Sequence, residues 1–452
     1  RQMCIRDRFR KYICPKIYYW RMKKYWSGLA FILFISVFTV QGQNFMRLTP
    51  SDIESLFLKQ NLKLIAEQMN IDIADAEIVQ AKLWDNPNLS VSGINLWSTK
   101  SQRDGNPELS SPLFGNFGKH TQFSVELSQL IQTANKRGKL VARDKISKEI
   151  AVQEFETVLR GLKSELRKSI DEIIYCQNYQ AVLQKQQYSL DQLIESYRKQ
   201  VAQGNIAKSE LFRLQSSLLE LENEINENNE DLNGKIKTLK SLLSIDPLIN
   251  IEVEEISSGA IDPDSLILAH LLSQSIENRP ELKINKLQTK YFEKSLAYEK
   301  AQRVPDITLS ANYDRFGGVW KDFVGFGISF DLPFLNRNQG TIKAAGIARD
   351  QNLYMEKLQI NETGHEVVEA YNNYSQAYLF YQKINKNELL SDLDNMLDIY
   401  TRNLINKNIS MVEFIDFMDA YKSNKQTVLA AEKKMKLQFE DLQYVVGTEL
   451  KK

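Results

Sequence analysis

The sequence predicts a mixed α/β membrane chain: four short strands joined to very long antiparallel coiled-coil helices, laid out as two similar halves. Three observations predict it. Four segments alternate apolar and polar residues with period two, and long stretches repeat apolar residues every three or four positions. The order helix–Pro–strand–loop–strand–long helix–tip–helix also occurs twice.

Residues 1–21 are basic and aromatic without apolar periodicity, and read as an upstream segment foreign to the mature chain. Met22-Lys23-Lys24, the apolar run Leu29 to Val40, and Val40-Gln41-Gly42 then read as a signal peptide over 22–42, placing the mature start near Gln43. The run is too short to span a bilayer as a helix. No Cys follows it for acylation. Of Cys4, Cys14 and Cys176 only the last survives cleavage, so no internal disulfide is expected.

The first half, residues 43–250, and the second, 251–452, align from Leu64 on Leu282 and from Pro87 on Pro305. In each, an Ala-, Glu-, Lys- and Leu-rich helix stops at the Pro, and alternating residues follow. Strands are expected at about 88–97, 121–130, 306–313 and 322–332. In the second, Phe123, Val125 and Leu127 oppose Ser124, Glu126 and Ser128. In the fourth, Val324, Phe326, Ile328, Phe330 and Leu332 oppose Gly325, Gly327, Ser329 and Asp331. Such segments suit tilted membrane strands, and a half-buried strand of a soluble sandwich would look similar. Four membrane strands are too few to close a barrel, so several subunits would have to share one.

Between Arg143 and Tyr197 the pattern is helical and free of Pro, and at 1.5 Å per residue such a rod runs roughly 80 Å. Leu211, Leu214, Leu218, Leu221 and Ile225 then recur at alternating spacings of three and four, a coiled-coil seam. The second half repeats the plan from about Thr341 to Arg402 and from Met411 to Leu450. Tips lie near 200–209 and 403–412. Gly204-Asn205 reads as a helix stop, with Ser209 at the next start.

A net charge of +1 with interspersed charges gives no electrostatic case for nucleic acid. No apolar run of eighteen follows the signal, which excludes a helical span. His120, His270 and His365 stand far apart, and neither a P-loop nor a dinucleotide fingerprint is present. No enzyme activity, cofactor or metal site is expected. Gly317-Gly318 and Gly325-x-Gly327 read as hairpin geometry and close strand packing. The 98–119 stretch reads as an outward-facing loop, and the other hairpin loop falls near Arg315–Lys321. Trp97, Tyr313, Phe316, Trp320 and Phe323 suit an interfacial girdle or simple hairpin packing.

The whole arrangement, from about Leu48 to Leu450, resembles the TolC family of outer-membrane efflux proteins. Asn86-Pro87-Asn88-Leu89-Ser90, Leu127 to Ile131 running into Lys136-Arg137-Gly138, and Asp331 to Gly340 (DLPFLNRNQG) resemble its cobalt–zinc–cadmium export branch. The resemblance implies a homotrimer with a 12-stranded barrel in outer-membrane lipid and a periplasmic α-helical barrel, in a Gram-negative bacterium. It also implies two partners, a periplasmic adaptor (membrane fusion protein) and an inner-membrane pump. The adaptor contacts it implies are Gln203, Gly204 and Asn205 at one tip and Lys407, Asn408 and Ile409 at the other. Lys407 departs from the family, which often has Gly there. Glu413 and Asp416, three apart on one helix face, match the carboxylates lining the closed periplasmic mouth; as residues they also suit a solvated first turn. Met411 and Met418, seven apart, read as a core stripe. The expected function is a passive exit duct, with divalent heavy-metal cations as cargo. Drug efflux and type I protein secretion are alternatives within the same class. A periplasmic coiled-coil scaffold without a pore is an alternative of another class.

Overall fold

The computed structural model describes residues 45–95, 99–104, 122–256, 259–317, 320–386 and 392–450, all within one compact unit. The expected upstream segment, the signal peptide, Trp97, His120, Gly318 and residues 98 and 105–119 of the expected 98–119 loop lie outside the described residues.

The chain opens with β1 (Phe45–Leu48), α1 (Pro50–Gln60) and α2 (Leu62–Lys82). Thr49 and Asp52 form a reciprocal capping box that starts α1. Asn61 ends α1 and caps α2 in one step, its side chain accepting from the Leu64 N–H at 2.8 Å. Strand β2 (Asn88–Ser92), the short helix α3 (Lys100–Asp104) and β3 (Ser124–Ile131) follow. Helix α4 (Lys136–Ala202) is continuous for 67 residues, roughly 100 Å, and α5 (Lys208–Leu243) returns along it. Strand β4 (Asn250–Val253) pairs in parallel with β1. Then come α6 (Leu268–Asn278), α7 (Pro280–Ala301), β5 (Ile307–Gly317) and β6 (Trp320–Ser329). Helices α8 (Gln339–Asn385), α9 (Leu393–Ile405) and α10 (Met411–Val446) complete the order.

Several expectations are corrected. The first strand pairs only over Asn88–Ser92, because Gly93 turns the backbone to φ +66° and ends the ladder. The β5–β6 hairpin is longer than expected: pairing runs out to Gly317 and Trp320, absorbing most of the presumed loop Arg315–Lys321. The second rod, expected from Thr341 to Arg402, has α8 ending at Asn385 with Lys386 in a turn, and α9 beginning at Leu393; residues 387–391 between them lie outside the described residues.

Three apolar clusters hold the helices. One, near the tips, joins α4 and α5 to α9 and α10 through Leu193, Tyr197, Leu214, Leu397, Phe414 and Tyr421. A second packs α1 and the β1–β4 pair on α4 and α5, with Ile53, Phe57, Leu166, Ile173 and Leu243 fully buried. The third joins α6, α8 and α10 around Val367, Tyr374 and Leu442. Met411 and Met418 both lie in the tip cluster, as a core stripe should.

Between the second and third clusters, long-range ion pairs bind the layers. Arg167 reaches Glu54 at 2.5 Å and Glu449 at 2.6 Å, Arg279 reaches Glu366 at 2.5 Å, and Arg160 pairs with Glu281. Cys176 is buried and free. Among the described residues, no helix is long and apolar enough to cross a membrane.

Candidate channel elements: sheet, hairpin tips and acidic mouth

Strands β2, β3, β5 and β6 form one antiparallel sheet in the order β2-β3-β5-β6, with both outer edges unpaired among the described residues. Its register sorts most side chains by face, with Leu130 and Phe323 falling in polar rows and Gln129 in an apolar one. Leu89, Leu127, Ala311 and Phe326 stand in one cross-strand row, and Val91, Val125, Tyr313 and Val324 in another on the same face. The intervening rows, Ser90-Glu126-Asn312-Gly325 and Asn88-Ser128-Ser310-Gly327, make the opposite face polar. The apolar face is not covered by the chain itself: Phe326 is 87% and Ile328 71% exposed. A soluble sandwich buries that face against a second sheet. Here it is exposed at Leu89, Val91, Leu127, Val324, Phe326 and Ile328 and half-buried at Val125, Ala311 and Tyr313, and an exposed apolar face suits a strand facing lipid. Gly325 and Gly327 belong to the polar face. A Cβ at Gly325 would collide with the Asn312 amide, and one at Gly327 would lie 2.6 Å from Ser310 Oγ. The expected close strand packing is therefore real, and it serves that face.

The sheet is joined to the rods by polar fasteners. Asp306, just before β5, accepts from the Thr133 N–H at 2.8 Å and pairs with the buried Lys136 at 2.8 Å. Asn135 and Asn338 precede α4 and α8 in the left-handed region, at φ 53° and 55°. Asn is among the residues that tolerate this conformation best. Gly138 leaves room for the Asn135 side chain to fold over the first turn. That gives a physical reason for Gly in Lys136-Arg137-Gly138.

The two tips use one backbone device. After α4, the Asn205 N–H donates to Gln200 O at 2.9 Å and the Gly204 N–H to Val201 O at 3.0 Å, with Gly204 at φ +76°. After α9, the Asn408 N–H donates to Asn403 O at 2.9 Å and the Lys407 N–H to Leu404 O at 3.1 Å, with Lys407 at φ +61°. Both are Schellman stops. Lys407 thus makes the turn that Gly makes in the first tip. The restarts differ. Ser209 is not the cap of α5: Ala207 holds that position and offers no side-chain bond. Ser410 caps α10 fully.

At this restart Glu413 has a structural task that the sequence reading only half anticipated. The Ser410 N–H donates to Glu413 Oε2 at 2.8 Å, and Ser410 Oγ accepts from the Glu413 N–H at 3.2 Å, a complete capping box. The Ser410 backbone and hydroxyl hold the Glu413 carboxyl below the usual carboxylate range. Glu413 and Asp416 are both exposed, on the face opposite buried Phe414 and Met418. The signal for the cap, Ser410-x-x-Glu413, stood in the sequence.

Sequence reasoning missed the carboxylates that tie the two hairpins together. Asp394, at the start of α9, accepts from Tyr421 Oη and Lys425 Nζ of α10 at 2.7 Å each, and lies 3.3 Å from Lys185 Nζ of α4. Glu224 of α5 accepts from Lys422 Nζ of α10 at 2.8 Å and from Tyr179 of α4. Partial burial opposes ionisation of Asp394, yet Lys425 and Tyr421 hold its pKa below the usual value. Gln186 adds a buried bond to Met418 O at 3.0 Å. Deeper in the rods, burial pushes Glu440 up to about 7 against the pull of Arg167. Burial likewise pushes Asp171 up to about 6. Among the described residues, no group of three or more His, Cys, Asp or Glu could hold a metal ion.

The chain thus joins a sheet with an exposed apolar face to very long helical rods. Residues 54–244 match the family model described as outer membrane efflux protein, a family of transport ducts and not of enzymes. No curated protein matches the sequence. Among solved structures, the chain is similar to the CmeC outer membrane channel of Campylobacter jejuni at a TM-score of 0.72 and 13% identity, covering 88% of this chain and 85% of that one. It is similar to the outer membrane protein VceC of Vibrio cholerae at 0.68 and 14% identity, covering 88% and 96%. Similarity to CusC, a protein whose transmembrane channel formation has been described, is 0.67 at 15% identity, covering 88% and 92%. At these identities the likeness shows the fold, that of TolC-like outer-membrane channels.

Proposed function

We propose that the chain is one subunit of the exit duct of a tripartite efflux system, with its sheet in the outer membrane and its helical hairpins in the periplasm. The sheet's uncovered apolar face, combined with two open edges, carries this reading. Unpaired backbone at an edge is not tolerated in lipid, so copies must close on one another. Three copies give twelve strands, and the polar rows of Ser, Asn, Gly and Glu126 then line the lumen. The two long hairpins of each copy complete a helical tunnel. The Schellman tips expose Gln203, Gly204 and Asn205 on one turn and Lys407 and Asn408 on the other, with Ile409 half-buried against the tip cluster, and such turns suit a periplasmic adaptor, which links the duct to an inner-membrane pump. Glu413 and Asp416 form the acidic mouth, two stacked rings of carboxylates that attract cations. Divalent metal cations are the favoured cargo, on the resemblance of Asp331 to Gly340 to the metal-export branch.

The test is reconstitution of the purified full chain into a planar bilayer, with carbonate washing of membranes in parallel. A carbonate-resistant, heat-dissociable trimer that conducts ions supports the duct. A protein that washes off and conducts nothing is a periplasmic scaffold, and the proposal falls.

A further inference from the structure

We propose that the base of the sheet carries a phospholipid-headgroup site, in which Arg303, Arg337 and Lys343 hold the phosphodiester and Phe334 and Leu335 enter the acyl boundary. The inference rests on the reading that the sheet lies in a membrane, and it adds a ligand class and a place for it.

The apolar face does not stop where β6 ends. The same alternation carries on through Phe330 and Leu332, both exposed, and then delivers Phe334 and Leu335 at 71% and 93% exposure. Burying side chains of this size is favourable, so leaving both in water calls for an apolar surrounding. The segment holding them is a built turn. The Phe334 N–H donates to Leu332 O at 2.9 Å, Arg337 Nε to Pro333 O at 3.1 Å, and the Asn338 N–H to Asn336 Oδ1 at 3.0 Å. The turn therefore presents the two apolar side chains outward in a fixed pose, directly below the lipid-facing rows.

Beside them lies an open concavity of about 510 Å³, lined by Arg303 just past the end of α7, Arg337 from the turn and Lys343 from the second turn of α8. No carboxylate lines it. Among the described residues none of the three cations has an ion-pair partner. Glu299, the acid of the adjoining helix end, accepts from the Asn338 amide at 2.7 Å and does not line the hollow. Three cations without an ion-pair partner around one hollow, with apolar side chains on its rim, complement a phosphate that carries acyl chains. A free anion would need only the cations. On the equivalent side of the first half, Trp84 is exposed and Arg137 stacks on its ring at 3.8 Å. An indole with a cation over it also belongs at a headgroup boundary. The site therefore falls at the periplasmic edge of the bilayer, where β6 hands over to α8.

The experiment uses the full assembled protein in neutral detergent, with phosphatidylglycerol, phosphatidylcholine and inorganic phosphate each added as the probe. Binding is read by native mass spectrometry and by the shift in melting temperature. Wild type is expected to bind phosphatidylglycerol in preference to phosphatidylcholine. Each cation near an anionic lipid contributes about 1 kcal/mol, so the R303Q/R337Q/K343Q variant should bind phosphatidylglycerol at least about tenfold more weakly, with the assembly intact. Phe334→Ser with Leu335→Ser should weaken it too. Unchanged phosphatidylglycerol binding in the charge variant overturns the site. So does equal protection by inorganic phosphate, which would make it a free-anion site. Dissociation of the assembly by the Phe334 and Leu335 changes with lipid binding retained also overturns it, because a second copy would then cover this surface. Carbonate washing keeps the two levels apart. If wild type washes off, the membrane reading itself fails; if it stays while the charge variant binds lipid normally, only the headgroup site fails.

Discussion

Lys407 occupies a backbone conformation that L-residues avoid, and replacing it by Gly should tighten the second tip. The residue sits at φ +61° one position past the cap of α9, where the first tip has Gly204 at φ +76°. For a residue with a Cβ the left-handed region costs roughly 1–2 kcal/mol. Gly gives back about 0.5–1 kcal/mol through the freedom it gains when the turn opens. The net expectation for Lys407→Gly is a local gain of about 0.5–1 kcal/mol. No contact is lost in exchange: among the described residues the Lys407 side chain makes no hydrogen bond or ion pair. Hydrogen exchange reads this directly, because the Lys407 and Asn408 amides close the turn onto Leu404 O and Asn403 O. Peptides spanning 400–412 should exchange roughly two- to fivefold more slowly in Lys407→Gly. Lys407→Ala keeps the Cβ and should show no such slowing. Equal exchange in the Gly variant and wild type, or slowing in both variants, would refute the argument from backbone strain. If Lys407 also contacts the adaptor, Lys407→Gly will weaken adaptor capture while the turn itself becomes tighter, which separates the two roles.

Glu413 has both a cap and a charge, and two substitutions divide them. Glu413→Gln keeps an acceptor for the Ser410 N–H and removes the charge, so it should lower cation selectivity in bilayers without fraying α10; Glu413→Ala should do both. Asp416→Asn, free of capping duties, should change selectivity alone, and unchanged selectivity in Glu413→Gln with Asp416→Asn would remove the acidic mouth. Burial raises the pKa of Glu440 to about 7 from 4.5, so the stability it contributes is complete below about pH 4.5 and is lost as pH rises through 7. Glu440→Gln should therefore raise the melting temperature at pH 8 and leave it nearly unchanged at pH 4.5, with an upper bound on the order of 3 kcal/mol; an equal shift at both pH values would contradict the assignment. Gly327→Val should slow assembly and lower the yield of carbonate-resistant oligomer, since even a Cβ there would lie 2.6 Å from Ser310 Oγ. Phe326→Tyr, on the uncovered face, should be tolerated.

The strands were legible because each of their faces meets one kind of surroundings, so period two survives along the whole segment. The rods were legible for the matching reason: Leu214 and Leu221 face a partner helix at a constant spacing. The ties at Asp394 and Glu224 were not legible. Each brings together residues from three helices, and nothing in the local pattern distinguishes a carboxylate that meets Lys422 from one that meets water. Lys407 was misleading for a different reason. Its identity argues against the turn that its neighbours impose, and the hydrogen bonds of the turn outweigh the strain of one residue.

Stability in this chain is divided unevenly, and the division says which part depends on assembly. All three apolar clusters lie in the helices and the β1–β4 pair; none draws a residue from β2, β3, β5 or β6. Hairpins without a buried face are marginal in water. The helical portion, by contrast, has its own cores and long-range ion pairs such as Arg167 with Glu54 and Glu449. The sheet must therefore draw its stability from outside the single chain, by edge pairing with neighbouring copies and by transfer of Phe326, Ile328 and their row-mates out of water. It follows that in a chain held in detergent-free solution the helices should retain exchange protection while the sheet loses it. Protection of β5 and β6 should then appear together with oligomer formation and not before it. Slow exchange in β5 and β6 of a monomer in water would mean that the sheet has a cover within its own chain, and the argument for a shared barrel would lose its basis.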